Sequence, residues 1–329
     1  MQLSYFAQLL DELEDVAETG ATGQKAPPDL PIQAANVLQV IEKNHDQVSR
    51  TLRRLVLNCT MDSDTNPLSR EGEPNRLMQK LLREQHAIHI VMRLIALPFK
   101  KGLCLSWCKA KDPRLRKTTN IMTLMYRLMK QMVKGDGSGG RNSWELFKHI
   151  DLIKSHLGSG LACNDTLNEM FQGKRQILKK IEEEDIQRFA ELLDENKDPQ
   201  YIDFLATICT CDGQPLPRLQ SKICEQIFNL NSHLLPTCRI DASRKLCEHH
   251  RLGIHLPGTR DQDGNDFWID VGKFHQNVTV SNGKQCDLAS TIENVPASDL
   301  NDQQKLLRYF LRCLRLYSQA IQGRNQTVC

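Results

Sequence analysis

Three cations recur at helical spacing in the run Pro74-Asn75-Arg76-Leu77-Met78-Gln79-Lys80-Leu81-Leu82-Arg83-Glu84-Gln85. On a helix of 3.6 residues per turn, Arg76, Lys80 and Arg83 fall at about 0°, 40° and −20° around the axis. Like charges at this spacing repel by a few tenths of a kcal/mol, so helix stability alone does not account for them. An anion facing that sector would account for them; a solvated basic face is the plainer alternative. Asn75 reads as an N-cap, and no Gly or Pro follows until Pro98, so the spacing predicts one helix over 75–97. Its apolar stripe is expected at Leu77, Leu81, Ile88 and Met92, roughly 100–160° around the same axis.

A second candidate is the Gly-rich segment Lys134-Gly-Asp-Gly-Ser-Gly-Gly140. It lacks the GKS or GKT ending of a P-loop. It leads into a helix starting near Asn142, with Arg141 at the junction. Backbone N–H groups beside that cation could hold a phosphate, or the segment is a flexible link. Other constellations fit chemistry poorly. His86 and His89, and the cluster Cys247, His249 and His250, lack paired zinc-ligand spacing. Cys104 with Cys108, and Cys209 with Cys211, match no redox or metal motif. Asp261-Gln-Asp-Gly-Asn-Asp266 lacks the remaining ligands of a calcium loop and reads as a hairpin turn. No Ser/His/Asp or Cys/His arrangement stands out. The expectation is a binding module with no enzyme activity, no metal and no cofactor.

The elements that must position these cations read as helices almost throughout. The 329 residues are 40% hydrophobic and 25% charged, enough for one large or two medium domains. A net charge of +3, from 43 basic and 40 acidic residues, does not point to nucleic acid, so any electropositive site is local. The 12 cysteines are scattered, many within apolar helical patterns, and are expected to remain thiols. No signal peptide is visible, and the most apolar stretch, Ile88 to Phe99, is too short to span a bilayer. Without such a signal, the sequons at Asn277 and Asn325 carry little weight. The chain alone is expected to be soluble and cytoplasmic.

Helices are predicted at about 1–16, 33–57, 75–97, 118–133, 143–157, 163–171, 176–181, 184–193, 199–209, 217–228 and 300–320. Between 142 and 230, helices of two to four turns alternate with short polar links, the habit of an α-solenoid. Phe267–Val271 and Asn277–Val280 read as a small β-hairpin insertion, the main location expected for strands. No polar capping repeat is evident, so the chain reads as a piece of something longer.

The run PNRLMQKLLREQHAIHIVMRLIALPF (Pro74–Phe99) resembles the start of the helical ligand-binding region of inositol trisphosphate receptors. IMTLMYRLMKQ (Ile121–Gln131) and RNSWELFKHIDLIKSHLG (Arg141–Gly158) are similar to the helices that follow it there. The stretch from Gly173 to Phe228, including Tyr201-Ile-Asp-Phe-Leu205, resembles the RIH domain shared with ryanodine receptors. The resemblance implies an all-α, armadillo-like α-solenoid with a small β-hairpin insertion. It implies N-terminal helices over 1–72, the RIH or armadillo-like ligand-binding helical domain over 73–230, and a continuation over 231–329. It further implies that Arg76, Lys80, Arg83 and Arg141 face inositol 1,4,5-trisphosphate, shared with a β-trefoil absent here. The family carries a Tyr-Arg-Lys triplet where this chain has Gly139, Gly140 and Arg141, so two contacts are replaced. The implied setting is the cytosolic face of the endoplasmic reticulum, within a calcium-release channel, against neighbouring receptor domains or subunits. A solenoid scaffold for protein contacts, without inositol phosphate binding, is the alternative.

Overall fold

The computed structural model describes residues 2–19, 30–137, 139–240, 252–255, 257, 269–270 and 300–323. The chain divides into two compact units, Met1–Lys179 and Lys180–Cys329.

In the first unit the helices are α1 (Gln2–Thr19), α2 (Ile32–Lys43), α3 (His45–Asn58), α4 (Arg76–Glu84), α5 (Ala87–Lys100), α6 (Leu105–Lys109), α7 (Arg116–Val133), α8 (Arg141–Phe147), α9 (Ile150–Ser155), α10 (Cys163–Phe171) and α11 (Arg175–Leu178). The centre is α7, which packs against α3, α4, α5, α8 and α10. Its Leu124, Tyr126, Leu128, Met129, Met132 and Val133 are all fully buried. Burying an aliphatic or Met side chain of this size stabilises by about 1.5–3 kcal/mol, so α7 supplies much of the core.

Three helices expected from the sequence are each divided in two: the predicted 143–157 helix separates into α8 and α9 at a turn over 148–149, and the two longer ones break at single residues. The predicted 33–57 helix breaks at Asn44, where φ is −93° and ψ 2°. The Asn44 amide donates to Val40 O at 3.0 Å and so closes α2, while Asn44 O accepts from Val48 N–H and opens α3. The predicted 75–97 helix breaks at His86, a left-handed residue with φ 57° and ψ 27°. A left-handed residue is a helix stop, whatever the apolar periodicity on either side of it. The expected stripe is therefore corrected: Ile88 and Met92 on α5 are buried, but Leu77 and Leu81 on α4 are 78% and 46% exposed. The buried residues of α4 are Gln79 and Leu82, which sit at roughly −60° and −120° from Arg76. The Asn75 cap is as expected, its side chain accepting from Met78 N–H at 3.2 Å.

The second unit contains α12 (Glu183–Asn196), α13 (Pro199–Ile208), α14 (Pro217–Ile223) and α15 (Asp302–Ile321). Here α15 packs on α13 and α14. Local chemistry sets the boundaries. Glu182 and Asp185 form a capping box at the start of α12, and left-handed Lys197 ends it. Asp198 caps α13 ahead of Pro199, which needs no N–H partner at that position. A π-helical turn, Cys224–Leu230, continues α14.

Strands extend beyond the expected insertion. Ribbons β1 (Thr60–Met61) with β2 (Glu73–Pro74), and β3 (Thr210–Cys211) with β4 (Gln214–Pro215), close two loops. A three-stranded antiparallel sheet has the order β5 (Thr237–Ile240), β6 (Leu252–His255), β7 (Ile269–Asp270). Ile269 lies in the predicted Phe267–Val271 run, but its partner is Ile254. The Asn277–Val280 run, the Asp261–Asp266 turn, the Cys247, His249 and His250 cluster and both sequons lie outside the described residues. The architecture is all-α and armadillo-like with small β elements. No helix among the described residues is long and apolar enough to cross a membrane.

Candidate functional site

Helix α4, the loop after α7 and the start of α8 enclose a pocket of about 270 Å³ within the first unit. Its lining is Arg76, Gln79, Lys80, Arg83, Gly135, Asp136, Gly137, Arg141 and Asn142. All four cations singled out from the sequence therefore face one space. The two turns of α4 supply three, because residues at this spacing stay on one side of a helix. The reversal after α7 brings Arg141 to them.

The cations are held differently. The Arg83 guanidinium is half-buried and donates to Asn142 Oδ1 at 3.0 Å. Arg76 makes two long bonds of 3.4 Å, to Gln79 Oε1 and to Lys134 O. Lys80 faces Glu84 at 3.8 Å, an exposed pair that contributes little and yields easily to a stronger anion. The Arg141 side chain is exposed and makes no hydrogen bond or ion pair among the described residues. One carboxylate lies among them: Asp136 Oδ2 accepts from Ser143 N–H at 2.9 Å. Of the backbone donors at the start of α8, Ser143 N–H is thus already occupied, and the loop also brings the Arg141 side chain to the pocket. Gly135 has a steric role. Its φ is +59°, and a Cβ there would lie 3.0 Å from Arg76 Nη2 and 3.2 Å from Pro74 Cγ. A larger residue would push Arg76 aside.

Behind the pocket a second polar group fixes the wall. Arg127, Lys130 and Lys134 leave one side of α7 and its end to meet Glu71, at 2.7, 2.7 and 3.0 Å. Desolvation raises the Glu71 carboxyl, but the hydrogen bond and charge of Lys130, the hydrogen bond of Lys134 and the charge of Arg127 outweigh it. The result is a value of about 2. Buried Arg127 also donates to Pro67 O and Arg70 O, at 3.2 and 2.5 Å. Arg70 in turn donates to Thr60 Oγ1 at 2.7 Å and Thr60 O at 2.8 Å. The loop between β1 and β2 is thus pinned to α7, and it delivers Pro74 and Asn75 to the start of α4.

Sequence reasoning missed Gln79, Asp136, Asn142 and the Glu71 group. For the last a signal existed: Arg127, Lys130 and Lys134 share a side of a predicted helix, with a polar loop available to answer them. For the two amides there was none, because an uncharged polar residue on a polar face is indistinguishable from a solvated one. Among the described residues no group of three or more His, Cys, Asp or Glu side chains could hold a metal ion.

The pocket is open and carries four cations against one carboxylate, a net positive charge. It contains no nucleophile paired with a base. Residues 54–239 match the RIH domain. Over 277 residues the chain is 27% identical to inositol 1,4,5-trisphosphate receptor-like protein A of Dictyostelium discoideum, covering 81% of this chain and 7% of that protein. Over 211 residues it is 28% identical to the inositol 1,4,5-trisphosphate receptor itr-1 of Caenorhabditis elegans, covering 60% of this chain and 7% of that protein. The chain thus spans a small fraction of the length of these relatives. The RIH match takes in more than half of the sequence, the whole of α4, α7 and α8 and every residue lining the pocket, and the chain belongs to the RIH-domain family.

Proposed function

We propose that this chain is the helical ligand-binding and regulatory module of an inositol trisphosphate-gated calcium-release channel. The observation that carries the reading is the convergence of Arg76, Lys80, Arg83 and Arg141 on one pocket. A trisphosphate carries a charge on the order of −5, since each phosphomonoester brings about −1.5 to −2. Charge-assisted hydrogen bonds to phosphate are among the stronger ones, and Arg adds bidentate geometry where Lys acts as a point charge. The pocket is open to water, so screening weakens it. In the assembled receptor a β-trefoil faces this wall, and the ligand draws the two together. The helical stack carries that reorientation toward the gate on the cytosolic side of the endoplasmic reticulum. No catalysis is assigned to it.

The test is calorimetry at low salt on the chain joined to the β-trefoil of an inositol trisphosphate receptor. Wild type is expected to bind inositol 1,4,5-trisphosphate. Arg76→Gln combined with Arg83→Gln is expected to bind at least tenfold more weakly and to lose only about 1 kcal/mol of stability, from the Arg83–Asn142 bond. The unjoined chain is expected to bind weakly, with Gly139 and Gly140 in place of two contacts. Undiminished binding by the folded double variant would sink the reading. A scaffold for protein contacts would then take its place, favoured by the exposure of Leu77 and Leu81 on the outer side of α4.

A further inference from the structure

Two uncharged side chains in the pocket wall are almost fully enclosed: Gln79 is 2% exposed and Asn142 1%. Burying a primary amide is costly unless its donors and acceptors are used. Both use them in the same pattern. Gln79 Nε2 donates to Gln131 O at 2.8 Å and to Lys134 O at 3.0 Å. Asn142 Nδ2 donates to Met132 O at 2.7 Å. Gln131 and Met132 belong to the last turn of α7 and Lys134 is its C-cap, where carbonyls have no helical partner. With each amide nitrogen committed to α7, each amide oxygen is turned toward a guanidinium. Gln79 Oε1 accepts from Arg76 Nη1 at 3.4 Å, and Asn142 Oδ1 accepts from Arg83 Nη1 at 3.0 Å. Reversing either amide would set N–H against guanidinium and oxygen against carbonyl, so only one orientation is satisfied.

We infer that Gln79 and Asn142 are positioning residues of the anion site, tying the carbonyl end of α7 to Arg76 and Arg83 and aiming both guanidinium groups into the pocket. The inference rests on the reading of this pocket as an anion site. An arginine on a free stem loses rotamer freedom when it takes up a phosphate, and one already held loses less. The choice of an amide follows from the same chemistry. A carboxylate at 142 would hold Arg83 more firmly, but it would also cancel the charge that the ligand needs. An amide fixes the guanidinium and leaves its charge intact.

Asn142 has the shorter bond, and the test is made there on the whole chain. The 15N resonances of the Arg83 guanidinium are identified by their loss in Arg83→Lys. Rotation about its Cζ–Nη bonds is expected to be slow in wild type and in Asn142→Asp, and as fast as in an exposed arginine in Asn142→Ala. Titration with inositol 1,4,5-trisphosphate at low salt, followed by NMR, supplies the second readout. Asn142→Ala is expected to weaken binding about three- to tenfold with Arg83 present, and by less than twofold in the Arg83→Gln background, since coupled residues are not additive. Asn142→Asp is expected to weaken binding at least tenfold while Arg83 stays held. If the alanine variant does not fold, the aspartate variant alone decides by that contrast. Fast rotation of Arg83 in wild type overturns the inference, and so does an equal loss in both Arg83 backgrounds, which would mark Asn142 as a support of the fold only. A wild-type chain that binds no inositol trisphosphate overturns the anion-site reading and this inference together; binding with additive losses overturns the inference alone.

Discussion

His156 occupies a place where a charge is poorly tolerated. It is 2% exposed, its Nδ1 is 2.7 Å from the Tyr126 hydroxyl, and its ring lies 4.3 Å from that of Phe99. Desolvation pushes its pKa down to about 4 from the ordinary 6.5. The folded chain therefore keeps His156 neutral between those values while the unfolded chain binds a proton. Stability from this residue is complete above pH 6.5 and is lost as pH falls through about 4, an effect on the order of 3 kcal/mol. Urea unfolding followed from pH 7 to pH 4 is expected to show that decline, and His156→Asn, which keeps a polar partner for Tyr126, is expected to flatten it. An unchanged slope in the variant would assign the decline to other groups. The cysteines follow the same physics with the opposite sign of shift: burial pushes Cys59 and Cys163 up to about 12, and Cys108 and Cys224 up to about 11. The position of Cys224 inside an apolar helical pattern made its burial legible in the sequence, whereas Cys59 and Cys108 lie outside the predicted helices and theirs was not. The partnership of His156 with Tyr126 was not legible, because 30 residues separate them and only the packing of α7 brings them together.

Helix boundaries show where periodicity stops being informative. The cation sector of α4 was readable because it needs only two turns of regular helix. The apolar stripe was not, because it assumed that Leu77 and Met92 shared one axis, and left-handed His86 separates their helices. Nothing in the local pattern marks such a break: Gln85 and His86 are tolerable helix residues, and the signal expected at a stop is Gly or Asn. The break has a measurable consequence. In a continuous helix, His86→Gly would cost about 0.5–1 kcal/mol. In the left-handed conformation glycine removes strain of about 1–2 kcal/mol and offsets its own entropy cost, while a β-branched residue is worse than histidine. His86→Gly is therefore expected to leave the melting temperature unchanged or raised, and His86→Val to lower stability by at least about 1 kcal/mol. Destabilisation by glycine as large as that by valine would restore the single helix over 75–97. The strands β5 and β6 were missed for a related reason. Their four-residue runs contain Arg239, Gly253 and His255, too short and too mixed to show alternation.

At the scale of the whole molecule, the compact units and the family match divide the chain differently. The RIH match runs across the boundary between Lys179 and Lys180. Every residue lining the pocket lies on the N-terminal side of it. So do the pinned β1–β2 loop and the Glu71 group behind the pocket wall. The first unit also supplies its own interior, with Phe6 from α1, Leu52 from α3, Ile95 from α5 and Tyr126 and Met129 from α7 all fully buried. A stretch of this size lies within the usual range for an independent domain. Residues 1–179 expressed alone are accordingly expected to unfold in one cooperative thermal transition and to keep a helix-dominated far-UV circular dichroism spectrum. They are also expected to bind inositol 1,4,5-trisphosphate within about threefold of the whole chain, because no lining residue has been removed, and a threefold change is well under 1 kcal/mol. A fragment that folds but binds at least tenfold more weakly would mean that the second unit contributes to the anion site. A fragment with no cooperative transition would show that the first unit does not fold without the rest of the chain.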